Sequence, residues 1–192
     1  MNKGLLVVIS SPSGGGKTSV IKALKKRVDI DFKYSISATT RKPRPGEMNG
    51  KDYIFLNENE FQKQANNGEL LEWEQVYNYF YGTPAAPIRK WLDAGNVVLL
   101  DIDVNGALQI KEKFKAQSIS IFLEPPSVDE LLQRLKNRNT DSEQEIQKRL
   151  QRVSMEMSKR EQFDYIVLND DLNKAIQNVI EIIQNHLNLM ED

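Results

Sequence analysis

The chain has 192 residues with a formal net charge of -1, a length that suits one sizeable core or a core plus a small inserted lobe. So small a net charge excludes a general nucleic-acid or membrane-surface binder, which needs an excess of Lys and Arg. Cys is absent and His186 is the single histidine, so disulfide frameworks, thiolate metal sites and His-based triads are excluded too.

Residues 5–10 (LLVVIS) are a continuous apolar run rich in β-branched residues, which reads as a buried parallel strand. The run is too short for a signal peptide, and no segment approaches the ~20 apolar residues of a membrane span. A cytoplasmic protein is expected, with no membrane and no nucleic-acid partner. The strand leads straight into SPSGGGKT, residues 11–18. This matches the phosphate-loop pattern G-x-x-x-x-G-K-[ST] except that Ser11 stands at the opening position. From Lys17 onward, Val20, Ile21 and Leu24 fall on one face of a helix.

Residues 34–90 read differently: KPRPGEMNGKDY is dense in turn formers and precedes strand-like pieces at 52–56 and 70–77. The helix between them has Asn57 with Glu60 as a capping pair and Gly68 as a stop. A further helix starts after Pro84 and stops near Gly95. Buried runs at 96–103, 118–123 and 164–169 then alternate with helical patterns at about 105–114, 128–138, 143–161 and 172–188. That alternation predicts an α/β fold, a parallel sheet flanked by helices on both faces. Ser127 with Glu130 and Thr140 with Glu143 have capping-box spacing and bracket a helix–turn–helix broken at NRNTD. In the last helix, Ile176, Val179, Ile180, Ile183 and Leu187 either dock on the sheet or cover a partner subunit, which leaves a homo-oligomer open.

A strand, a glycine-rich turn and a helix are the context a phosphate loop requires. Backbone N–H groups from Ser13 to Thr18 can then converge on one anion, aided by the helix dipole. Lys17 would reach the β- and γ-phosphates, and the Thr18 hydroxyl would ligate Mg²⁺. VVLLDID places Asp101 and Asp103 at the C-terminal sheet edge, where α/β ligand sites lie. Asp101 there either serves Mg²⁺ through water or caps the helix near 105. Arg41 and Arg44 offer two guanidinium forks for a phosphate, with Tyr53 and Tyr81 as further donors, unless they form only a solvated basic turn. Glu72, in ELLEWEQ, can accept from guanine N1–H and N2–H together, while Ser37 and Thr83 donate to O6. Trp73 is expected in the lobe core. Arg134 and Arg138 share a helical face, with Arg149 and Arg152 on the next helix, either as a solvated face or as a mobile flap over the transferring phosphoryl group.

SPSGGGKT, SATTRKPRPGE, NGKDYIF, ELLEWEQV, YFYGTP, VVLLDIDVNGA, IFLEPPS, RLKNRNTDSE and VLNDDL, taken in order, resemble the guanylate kinase family over nearly the whole chain. The resemblance implies a P-loop NTPase-type core at 1–33 and 91–192, a helical lid at about 126–160, and an inserted α+β GMP-binding lobe at 34–90. It also implies Mg²⁺-dependent transfer of the ATP γ-phosphoryl group to GMP, with dGMP as a further acceptor. The GMP site would hold Ser37, Arg41, Arg44, Tyr53, Glu72, Tyr81, Thr83 and Asp103. ATP would be bound by Ser11, Pro12, Ser13, Gly14, Gly15, Gly16, Lys17 and Thr18, with Arg134, Arg138 and Asn169; Lys17, Arg41, Arg134, Arg138 and Arg149 would be the catalytic set. Ser11 and Asn139 depart from the family pattern, and Ser11 is expected to be extended, with its side chain away from the phosphates. The alternative is an inactive domain of the same fold that binds protein partners.

Overall fold

The structure, a computed structural model, describes residues 4–26, 30–127, 129–131 and 143–191, the side chains of 143–149 and 191 excepted. In chain order the elements are β1 (Leu5–Ser10), α1 (Lys17–Leu24), β2 (Phe32–Tyr34), β3 (Ala38–Thr39), β4 (Ile54–Phe55), α2 (Glu58–Asn66), β5 (Leu70–Val76) and β6 (Tyr79–Pro84). There follow α3 (Ala85–Asp93), β7 (Val97–Asp101), α4 (Val104–Phe114), β8 (Ser118–Glu124), α5 (Glu143–Ser158), β9 (Tyr165–Leu168) and α6 (Leu172–Glu191).

The main sheet runs β2-β7-β1-β8-β9, with every pairing parallel. Its central strand β1 is buried along its whole length, and the alternation of side chains explains why the sequence there is uniformly apolar. Leu5, Val7 and Ile9 face α1 and α6, packing with Val20, Leu24, Val179 and Ile183. Leu6 and Val8 face the other way, onto Ile88 of α3 and Val104 and Ile110 of α4. Each such side chain contributes roughly 1.5–3 kcal/mol by leaving water. The apolar face of α6 thus docks on the sheet, as one of the two sequence readings had it.

A second sheet, β4-β3-β6-β5, carries α2 and a small core of Ala38, Phe61 and Leu70. Asn57 and Glu60 close a reciprocal capping box at the start of α2, and Gly68 ends it with φ 69°, both as expected. Phe61 stacks on Phe80 at 5.5 Å and meets Trp73 edge-on at 6.4 Å. Trp73 is nevertheless 43% exposed, so it lies at the rim of this core, a correction to the expected interior position. In the ladder it stands opposite Gly82, which has no side chain to pack against it.

Strands β2, β3 and β6 carry no strand reading in the sequence. The first two are too short to show a period, and YFYGTP, quoted in the sequence only for the family resemblance, pairs with both β3 and β5. The strand read at 52–56 shrinks to Ile54–Phe55. The boundary at residue 90 falls inside α3, whose Ala85, Ile88 and Leu92 pack on the core sheet. Residues 129–131 are helical and Ser127 Oγ accepts from Glu130 N–H at 3.0 Å, half of the expected capping box. Thr140 and Asn139 lie outside the described residues.

Because Phe61 is fully buried at the centre of the smaller core, Phe61→Ala should cost about 3–5 kcal/mol. Urea denaturation of the variant against the parent measures this directly.

Candidate functional site

Register sets the site. Ile9 stands opposite Asp101 in the β1–β7 ladder, so the turn leaving β1 and the carboxylate ending β7 emerge side by side at the C-terminal sheet edge. In that turn Gly14 and Gly16 have φ of 88° and 89°, a region that costs an ordinary L-residue about 1–2 kcal/mol. Gly15 is needed for a different reason: a methyl carbon there would lie 2.9 Å from Ser11 Cβ. Ser11 has no positive φ, and its hydroxyl donates to Pro12 O at 3.2 Å. The serine therefore fills the inside of the turn against Gly15, without backbone strain. Asn169, buried at the end of β9, donates Nδ2–H to Gly15 O at 2.7 Å and holds the loop from behind.

Lys17 opens α1 and turns its ammonium to Asp101 Oδ1 at 2.9 Å and to the carbonyl of Ile102. Burial alone would lower its pKa, but Asp101 and Asp103 outweigh that and raise it, so the lysine stays cationic. Asp101 thus ion-pairs with Lys17 rather than capping a helix. The cap of α4 is Asp103, which accepts from the N–H groups of Asn105 (2.9 Å) and Gly106 (3.1 Å). Thr18 is exposed beside Lys17.

The smaller sheet brings a second group to the same edge. Glu72 of β5 is 3% exposed, with Thr83 Oγ1 donating to its Oε1. Burial, reinforced by nearby Asp103, pushes its pKa up to about 7. Arg41 is forked onto Glu47, at 2.9 and 2.8 Å, and lies over the ring of Tyr53 at 5.3 Å. Tyr81 bonds the same guanidinium and meets Tyr53 edge-on at 6.1 Å. Arg44 is exposed, its backbone N–H donating to Glu47 at 2.7 Å. Ser37 is half-buried in the same lobe, its carbonyl accepting from Ile54 N–H at 2.9 Å. Tyr53 has a raised pKa, from burial first and from the Asp101 charge second, which ties the lobe electrostatically to the loop.

A third group joins Asp103 and Arg152, both singled out in the sequence, to Glu156, Glu74 and Asn105, which were not. Glu156 of α5 is buried and accepts from Ser13 N–H at 3.0 Å, so a carboxylate sits on one of the loop donors. Arg152, one turn earlier, holds Glu156 at 2.7 Å and reaches Glu74 at 3.4 Å and Asp103 at 3.9 Å. Asn105 Nδ2 donates to Glu74 at 2.7 Å. Burial and the adjacent Asp103 carboxyl raise the Glu74 pKa to about 8. Asp103 itself falls below its usual range, because a hydrogen bond from Glu74 and the Gly106 N–H outweigh its burial. The i,i+4 spacing of Arg152 and Glu156 was the available signal, but it fits any surface helix. Asp103, Arg152 and Glu156, with Ser11 to Thr18, Val76 and Tyr77, line a cleft of about 200 Å³. Arg134 and Arg138 lie outside the described residues, as does the side chain of Arg149 on α5.

Comparison with known proteins follows this geometry. A family model described as guanylate kinase matches residues 3–186. A guanylate kinase of Wolbachia sp. subsp. Brugia malayi is 46% identical over 182 residues, covering 95% of this chain and 93% of the relative. One from Caldanaerobacter subterraneus subsp. tengcongensis is 46% identical over 181 residues, covering 94% and 87%. The crystal structure of guanylate kinase from Anaplasma phagocytophilum superposes with a TM-score of 0.78 at 32% identity, covering 96% of this chain and 86% of that one.

The raised pKa of Glu72 has a consequence for stability. The native protein keeps this proton up to about pH 7, whereas the unfolded chain loses it near 4.5. Stability from this group is therefore full below pH 4.5 and is lost as pH rises to 7, by about 3 kcal/mol. Glu72→Gln should remove the loss, so chemical denaturation from pH 4.5 to 7 should show the variant gaining on the parent as pH rises.

Proposed function

The chain belongs to the guanylate kinase family of nucleoside monophosphate kinases, and from that premise we propose that it transfers the γ-phosphoryl group of ATP to GMP, giving ADP and GDP. The observation that carries the reading is Glu72, a buried carboxylate hydrogen-bonded to Thr83 on the lobe facing the phosphate loop. Ionised, it accepts from guanine N1–H and N2–H together, with Ser37 as hydroxyl donor to O6 and Thr83 donating there only if it releases Glu72. Adenine has no such pair of donors and would leave the carboxylate unmatched in a closed pocket.

The rest of the arrangement suits in-line transfer. The N–H groups of Ser13 to Thr18 and the dipole of α1 receive the ATP phosphates, with Ser11 and Pro12 shaping the turn and Asn169 bracing it. Lys17 neutralises charge on the β- and γ-phosphates. Arg41 and Arg44, with Tyr53 and Tyr81, hold the GMP phosphate, which requires Arg41 to exchange Glu47 for that anion. Asp103 lies close enough to orient GMP from the start of α4. Arg134, Arg138 and Arg149 are assigned to the transferring group as charge spreads over its oxygens. The attacking atom is an oxygen of GMP phosphate, already anionic, so no protein nucleophile or general base is required. Alignment and exclusion of water supply the catalysis.

The Thr18 hydroxyl directly, and the Asp101 carboxylate through water, would hold Mg²⁺, an ion that takes oxygen donors, keeps several waters and binds phosphate oxygens. Bound there, Mg²⁺ supplies further neutralisation of the phosphate chain. Among the described residues no helix is long and apolar enough to cross a membrane.

A coupled assay of ADP release with GMP, dGMP, AMP, CMP and UMP should show turnover confined to the guanine nucleotides; silence with GMP would favour a binding domain instead. Glu72→Gln should raise KM for GMP about tenfold or more and leave KM for ATP within about twofold. Lys17→Ala should cut kcat by roughly 10²–10³ while GMP binding, followed by calorimetry, persists.

A further inference from the structure

Gly106 sits in the first turn of α4, directly against Glu72. A methyl carbon added to it would lie 2.5 Å from Glu72 Oε2 and 3.0 Å from Glu72 Cδ. Its backbone does not explain the glycine: its φ is not positive, and alanine is the better helix former. Its N–H donates to Asp103 Oδ1 at 3.1 Å, so this one residue touches both carboxylates of the acceptor side. Glu72 has nowhere to retreat. It is 3% exposed, and its other oxygen is held by Thr83.

We infer that Gly106 is a specificity-positioning residue: its missing side chain sets where the Glu72 carboxylate stands, and thereby the preference for a purine edge carrying adjacent N1–H and N2–H donors. The inference rests on the reading of Glu72 as the guanine acceptor. Alanine at 106 keeps the N–H to Asp103 and the helix, and changes only the space that Glu72 occupies.

The test measures kinetics with GMP and with inosine monophosphate, which lacks the 2-amino group. Gly106→Ala should raise KM for GMP about tenfold, with kcat at saturation and KM for ATP within about twofold, and should shrink the GMP-over-inosine preference. In a Glu72→Ala background the methyl meets no carboxylate, so Gly106→Ala should add less than about a twofold change. An unchanged KM for GMP, an equal rise for ATP, or the same effect in both backgrounds overturns the inference. If Glu72→Ala itself leaves GMP selection intact, the reading of Glu72 fails and this inference fails with it. If Glu72→Ala weakens GMP but Gly106→Ala does not, this inference alone fails. Should Gly106→Ala fold poorly, Tm reads the same coupling: a drop seen only with Glu72 present supports the inference, and an equal drop in both backgrounds overturns it.

Discussion

The parallel pairing of β1 with β7 is the constraint on which the rest depends. It sets Ile9 beside Asp101, and so places the end of β7 under the turn that leaves β1. Lys17, first residue of α1, is then half-enclosed between Asp101 and the carbonyl of Ile102. A buried ammonium without partners would lose its proton; these partners keep the charge at the mouth of the loop. Slipping β1 by one residue would exchange Leu5, Val7 and Ile9 with Leu6 and Val8 between two different helix layers. The apolar contacts that hold the sheet are thus also what align lysine, aspartate and loop.

Charge beside the loop is organised around carboxylates that are hard to ionise together. Glu72, Glu74 and Asp103 approach one another where β5 meets the start of α4, and burial raises two of them. Arg152 offsets the concentration of acid, and through Glu156 it links that cluster to Ser13 of the phosphate loop. The loop and the carboxylate cluster are therefore joined by a chain of hydrogen-bonded side chains as well as by the sheet. Gly106 belongs to the same economy of space: the closeness of Glu72 to α4 is possible because nothing projects from that turn.

Local chemistry made much of this legible in the sequence. SPSGGGKT, the uniformly apolar LLVVIS and the alternation of buried runs with helical periods identify a parallel sheet with a phosphate loop, because each signal lies within a dozen residues. The capping box at Asn57 and Glu60 and the stop at Gly68 are local in the same way, and both appear in the structure. Glu72 and Thr83 were singled out by the hydrogen-bonding pattern of guanine, and the structure brings them into contact. A local signal misled at Trp73, which is apolar by type yet stands at the rim of the smaller core.

Sequence alone determined the fold class and the phosphate loop, since hydrophobic period, glycine dihedrals and capping act over a few neighbours. Tertiary structure decided which carboxylate does what. Asp101 pairs with Lys17 and Asp103 caps α4, a division that depends on strand register and not on their spacing of two. It also decided that Glu156 reaches Ser13 and that Gly106 makes room for Glu72. Those contacts join residues distant in the chain or set by packing between layers, and no local period encodes them.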